Sequence, residues 1–262
     1  MRLTPAIGRA ADILDFVAGT PEPVAVATLA QQLRIPRNSV YEIVHTLVVR
    51  GYLRLGDDGR VRLGLRLFEL GSAYAASLDL LTVARPIVSD VVSECNETTH
   101  LAILDGRHVV YLIKQESTRP VRVLSQVGGR IPAHATAVGK TLLAFMPRDE
   151  ALRRLAAEPL EHLTQNTITD VGELITHLDQ AVRDGYSTDN EESSPEVCCV
   201  AAPVRDRSGS VVGALSISAP RSRISKSRRD ELAALVMRSA AALSQRLGCP
   251  TGALTAKPLL EY

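Results

Sequence analysis

Four groupings in this sequence have residue types and spacings that can do chemistry. Within Arg37 to Arg50, the residues Asn38, Tyr41, Glu42 and His45 recur at helical intervals opposite Val40, Ile43, Val44 and Leu47. A polar helix face of this kind can hydrogen-bond base edges in a DNA major groove, or it can simply meet water. Arg54, Arg60 and Arg62 flank a Gly56-Asp57-Asp58-Gly59 turn, where they can reach a phosphate backbone or serve as solvated strand ends. Ser216 and Ser218 alternate by two on an apolar strand, so both hydroxyls face one side and can converge on one ligand. His134 to Lys140 opens a helix, and its unpaired backbone N–H groups near Ala137 and Val138 suit a carboxylate. Taken alone, the serine pair reads first as polar decoration of an exposed strand, and Ala137-Val138 as helix packing.

Catalysis and metal binding have weaker support. Cys199, His134 and Asp189 are the residue types of a thiol hydrolase, with the cysteine as nucleophile, the histidine as base and the aspartate as orienter. Cys199 sits in an apolar run, however, where a cysteine acts as a small buried hydrophobe, and a triad is identified by geometry rather than by type. Cys198 and Cys199, as strand neighbours, point to opposite faces and cannot both join His100 or His134 around a metal. The expectation is a non-enzyme without cofactor or metal.

These groups need elements to hold them. Ala6 to Ala18 carries Ile7, Ala10, Ala11, Ile13, Leu14 and Val17 at helical spacing and ends before Gly19 and the Pro21-Glu22-Pro23 break. Thr28 is the expected N-cap of a short helix, Leu29 to Leu33. Pro36 suits the first turn of the next helix, which Gly51 stops. Residues 52–64 place Leu53 and Leu55 against Val61 and Leu63 about the glycine turn, which predicts a hairpin. Helix, helix, helix, hairpin is the winged form of helix-turn-helix. Leu65 to Leu78 follows as a helix with Leu67, Leu70, Tyr74 and Leu78 on one face, either a linker that pairs two subunits or a core helix.

After Asp79 the pattern changes. A helix is expected over Leu81 to Asn96, then strands at His100 to Asp105, Val109 to Lys114 and Val121 to Ser125, with Gly128-Gly129 and Pro132 breaking the run. Helices follow at Ala135 to Met146, Arg148 to Ala156 and Val171 to Arg183, strands at Cys198 to Val204 and Val211 to Ser218, and a closing helix at Lys226 to Leu247. Strands in runs with helices at their ends predict an α+β fold.

Composition bounds the partners. A net charge of +1 excludes a uniformly basic nucleic-acid binder, yet Leu33 to Arg66 holds seven arginines against three acids, enough to sit on phosphates locally. The 45% hydrophobic content supplies a core, which Leu, Val, Ile and Ala must build because aromatics are 3% and tryptophan is absent. Four dispersed cysteines, no apolar signal core and no bilayer-length apolar run fit a soluble protein of the reducing cytoplasm.

In order and spacing, several stretches resemble the IclR-type family of bacterial transcriptional regulators over nearly the whole chain. They are Leu29-Ala-Gln-Gln-Leu-Arg-Ile-Pro-Arg-Asn-Ser-Val-Tyr41, Leu47-Val-Val-Arg-Gly-Tyr-Leu53, Arg62-Leu-Gly64, His100-Leu-Ala-Ile-Leu-Asp-Gly106, His134-Ala-Thr-Ala-Val-Gly-Lys140, Asp189-Asn-Glu-Glu192, Cys199-Val-Ala-Ala-Pro-Val204 and Leu215-Ser-Ile-Ser218. The resemblance implies a winged helix-turn-helix domain (1–64), a linker and dimerisation helix (65–80), a GAF-like α+β effector-binding domain (81–250) and a tail (251–262). It implies a homodimer or a dimer of dimers on double-stranded operator DNA, repressing or activating according to a small-molecule effector, here expected to be a carboxylic or aromatic acid. Arg37, Asn38, Ser39, Tyr41, Glu42 and His45, with Arg60 and Arg62 of the wing, are the expected DNA-binding residues. Ala137, Val138, Asp189, Cys199, Ser216 and Ser218 match positions that line the effector pocket in family members binding small acids. The sequence departs from the family pattern at Val138, bulkier than the small residues common there, and at Ser194-Pro195-Glu196, where a glycine-bearing loop is usual.

Overall fold

The computed structural model describes residues 4–76, 79–119 and 125–250. They fall into two compact units, one ending at Leu78 and one beginning at Asp79. The first runs α1 (Pro5–Ala18), β1 (Val24–Ala25), α2 (Val26–Gln32), α3 (Arg37–Val49), β2 (Leu53–Leu55), β3 (Arg60–Leu63) and α4 (Leu65–Ala76). Ile13, Leu29, Val40, Val44, Leu47, Leu53 and Val61 share one core, to which α1, α2 and α3 each turn an apolar face.

Two details differ from the sequence expectation. α2 begins at Val26, with Thr28 inside it, because Val24 and Ala25 pair with Val61 and Arg60 as a third strand. The extended backbone of Ala25 then caps the helix without a side-chain bond. Pro36 is likewise the N-cap residue of α3 rather than part of its first turn. The turn between the helices places Arg34 at φ 53° and drives Ile35 into the core.

The hairpin is held close to the end of α3. Gly51 has φ 76°, and a Cβ on Gly64 would lie 2.1 Å from the Gly51 carbonyl oxygen. Only glycine allows this crossing, which Gly64 N–H to Tyr52 O (2.8 Å) and Arg66 N–H to Gly51 O (3.2 Å) complete.

The second unit runs α5 (Asp79–Cys95), β4 (Thr98–Asp105), β5 (His108–Gln115), β6 (Arg130–Pro132), α6 (Ala137–Ala144), α7 (Arg148–Ala156), α8 (Val171–Asp184), β7 (Ser187–Asn190), β8 (Val197–Arg205), β9 (Val211–Pro220) and α9 (Lys226–Arg246). Its six strands form one antiparallel sheet in the order β6-β5-β4-β9-β8-β7. α5 and α9 cover one face, and α6, backed by α8, covers the other.

The strand expected at Val121 to Ser125 lies outside the described residues except for Ser125, which is not in a strand. β5 pairs through His108–Val110 with Arg130–Pro132, within a stretch that sequence marks as a break. The segment around Asp189 is also a strand, β7, carried at the sheet edge by its pairing with β8. The helix expected from Ala135 is a 3-10 turn over Ala133–Ala135 followed by α6, whose N-cap Thr136 accepts the Gly139 N–H at 3.0 Å. Position 78, the tail 251–262 and the side chains of the last turn of α4 are outside the described set.

Candidate functional site

The first unit presents a polar helix face beside a basic hairpin. On α3, Val40, Val44 and Leu47 are buried, while Arg37, Asn38, Tyr41, Glu42 and His45 are exposed and Ser39 is half-buried. Tyr41 is 57% exposed, a large apolar ring that a surface helix has no internal reason to leave in water. On the wing, Arg54 and Arg62 are direct register partners, so two exposed cations stand side by side on one face. Like charges so placed repel, and an anion between them removes the cost. Arg60 turns back to Asp58, with a long 3.9 Å ion pair between two half-exposed side chains. Glu42 is exposed and has no ion pair among the described residues.

In the second unit, strand register gathers the expected pocket residues. Asp189, Cys199, Ser218 and Thr98 form one cross-strand row; Ser187, Ala201, Ser216 and His100 form the next, on the same face. α6 lies over this face. Thr141 Oγ1 meets Ser187 Oγ at 2.7 Å and donates to Ala201 O at 3.1 Å, and Ser187 Oγ donates to Ala137 O at 2.5 Å. The N–H groups of Ala137 and Val138 start α6 with no acceptor among the described residues. All six expected pocket residues therefore belong to one place, between the start of α6 and strands β7, β8 and β9.

Burial sets the electrostatics of that place. Asp189 is fully buried, and desolvation pushes its carboxyl up to about 6. Hydrogen bonds from Ser193 Oγ (2.6 Å) and Glu192 N–H (2.7 Å), together with the Lys140 charge, oppose that rise. The Cys199 thiol is raised well above its ordinary range, first by burial and then by the Asp189 charge. His100, 1% exposed, is pushed down to about 3 by burial with help from Lys114, so its ring is neutral. Its Nε2 lies 2.7 Å from Ser125 Oγ and its Nδ1 3.5 Å from Ser218 Oγ.

The thiol-hydrolase arrangement does not form. Asp189 and Cys199 are neighbours, but His134 points elsewhere, with Nε2 2.9 Å from Glu161 O in a setting of Arg107, Leu155 and Leu160. The other buried imidazole nearby, His100, meets Ser218 rather than Cys199, and burial keeps the thiol protonated. No group of three or more metal-ligating side chains occurs among the described residues, and none of their helices is long and apolar enough to cross a membrane.

Sequence reasoning on single residues missed the supports. Lys140, 2% exposed, holds both Glu192 oxygens at 2.6 and 2.5 Å, and Glu192 Oε1 accepts the Asn190 N–H at 3.1 Å. This buried pair ties α6 to the loop after β7. Both residues lie in the resembling stretches quoted above, but no spacing rule joins positions 52 residues apart.

Comparisons with known proteins cover both units. The family model for the IclR helix-turn-helix domain matches residues 6–56, and that for the bacterial transcriptional regulator IclR C-terminal domain matches residues 72–245. The HTH-type transcriptional regulator KdgR of Escherichia coli is 35% identical over 231 residues, 88% of each chain. The transcriptional repressor IclR of the same organism is 31% identical, covering 90% of this chain and 87% of its own. A crystal structure of an IclR homologue from Microbacterium hydrocarbonoxydans, complexed with 4-hydroxybenzoate, superposes with TM-score 0.81 at 28% identity, covering 92% of this chain and 98% of that one. The relatives are named as regulators and repressors, not enzymes. With a helix-turn-helix unit ahead of an α+β effector-binding unit, the chain belongs to the IclR family of bacterial transcriptional regulators.

Proposed function

We propose that this regulator controls an operator through a small carboxylic acid bound between the start of α6 and the β7-β8-β9 face. The observation that carries the reading is the convergence there of two unpaired backbone N–H groups, at Ala137 and Val138, with the hydroxyls of Ser216 and Ser218 on a single buried face. Donors aimed from a helix start, backed by its dipole, favour an anion. The structural relative complexed with 4-hydroxybenzoate supports an acid as the ligand class. A thermal-shift panel of carboxylic acids against their neutral amides tests this, since a ligand selective for the folded state raises the midpoint. Stabilisation by the amides alone would overturn it.

On the DNA side, Arg37, Asn38, Ser39, Tyr41, Glu42 and His45 read base edges in the major groove, and Arg60 and Arg62 hold phosphates. Arg62→Ala then weakens binding to all sequences and lowers the salt slope by about 1, whereas His45→Ala changes base preference. Identical behaviour of the two variants in a binding-site selection would refute the division of roles. α4 leaves Leu65 and Phe68 71% and 72% exposed at positions i and i+3, an apolar stripe that fits a second copy of this chain. A homodimer, or a dimer of dimers, on a two-fold operator in the cytoplasm follows, and sedimentation of Phe68→Glu against the parent checks the dimer contact.

A further inference from the structure

Tyr111 belongs to the same face, although alternation along β5 hides it. Tyr111 pairs with Ala102 and Ile113 with Leu101, so an extra residue, Leu112, is bulged out between them. The bulge turns Tyr111 to the α6 side with His100 and Ala102, where it joins Ala137, Val138 and Leu142 in one apolar cluster, while Ile113 goes with Leu101 to the other side. Its ring tilts at 46° against His100, centroids 4.9 Å apart, and His100 is itself fixed by Ser125.

The hydroxyl end is what stands out. Tyr111 is 8% exposed, yet its hydroxyl has no hydrogen-bond partner among the described residues; Ser216, 3% exposed, is in the same position. Among the described residues no side-chain polar atom is sealed from solvent without a partner, so both hydroxyls open on space that another atom can enter. Beside Tyr111 the sheet surface towards Ser216 is formed by its register partner Ala102 and, next across, Ala214, both fully buried and small. Burial pushes the phenol up, so it keeps its proton.

We propose that the Tyr111 hydroxyl is a second recognition point, donating a hydrogen bond to an oxygen that the effector carries apart from its carboxylate. The effector class is then a hydroxy- or oxo-substituted acid rather than a plain hydrocarbon acid. This rests on the reading of the α6 face as the effector site. A buried donor with no partner of its own discriminates strongly, because a ligand lacking the matching oxygen leaves it unpaired.

The test is Tyr111→Phe in the full chain, with affinities measured by calorimetry for matched probes: 2-oxobutyrate against butyrate, and 4-hydroxyphenylacetate against phenylacetate. The parent favours the oxygen-bearing member of at least one pair, and the variant loses roughly tenfold on that member with its oxygen-free partner unchanged. The unliganded melting temperature stays the same or rises, since no internal hydrogen bond is removed. An equal loss on both members would place the carboxylate itself on Tyr111 and overturn the proposal. So would an unchanged preference, or a fall of several degrees in the unliganded protein. Failure of every acid to bind the parent would instead overturn the effector-site reading and this proposal with it.

Discussion

Replacing Asp189 by Asn isolates the energetic effect of one buried carboxylate. The side chain is fully buried, and its Oδ1 accepts the Glu192 N–H while Oδ2 accepts the Ser193 hydroxyl. Asn keeps both contacts, its carbonyl accepting from Glu192 N–H and its amide donating to Ser193 Oγ, so the change removes charge and leaves geometry. Moving an aspartate from 3.8 to about 6 means that the native state holds the proton more tightly than the unfolded chain does. That contribution to stability is fully present below pH 3.8 and is lost as pH rises through about 6. Above this window the charged form costs the fold about 3 kcal/mol, which Asn avoids. The expected result is a difference in melting temperature between variant and parent that is near zero at pH 4 and grows to about 5–10 °C at pH 7.5 in the transition of the second unit. Taking the difference removes the other carboxylates that titrate in the same range. An Asn variant that is less stable at pH 7.5, or a difference that does not vary with pH, would refute the assignment of a raised, desolvated carboxyl.

Three further substitutions probe the frame around the site. Gly139→Ala would put a Cβ 2.1 Å from the Ala133 carbonyl oxygen, so the start of α6 must shift; we expect loss of acid-induced stabilisation together with a drop of more than about 3 kcal/mol in chemical denaturation. Lys140→Met leaves Glu192 charged, buried and unpaired and costs about 3–5 kcal/mol, and adding Glu192→Leu recovers most of it in a double-mutant cycle. Arg34→Gly relieves a left-handed residue in the helix-turn-helix turn, raising the stability of the first unit by up to about 1 kcal/mol in urea titration.

Periodicity made the helix and strand types legible wherever apolar residues repeat clearly. Val40, Val44 and Leu47 on α3 are buried as the pattern requires, whereas on the hairpin Leu53 and Val61 are buried and Leu55 and Leu63, also expected there, are exposed. Three short strands escaped it. β1 and β6 have two and three residues, too few to show alternation, and β7 is Ser-Thr-Asp-Asn, polar throughout, and exists because β8 offers it an edge. Ser216 and Ser218 share a face by local alternation alone, so sequence sufficed for that pair. Sequence could not place His134, whose ring turns to the Glu161 carbonyl while His100 occupies the position beside Ser218.

By itself the sequence determined the order of the longer elements, the split between a basic winged unit and an α+β unit, and the residue types able to meet DNA and an acid. These follow from periods of 2 and 3.6 and from local charge, which neighbours along the chain decide. Tertiary structure alone decided which side chains meet. Register across four strands set Asp189, Cys199, Ser218 and Thr98 in one row, a single bulge turned Tyr111 toward α6, and burial made His100 neutral and lifted Asp189 to about 6. A one-residue slip reverses every side chain beyond it, and desolvation depends on everything packed around a group; neither is written in local spacing.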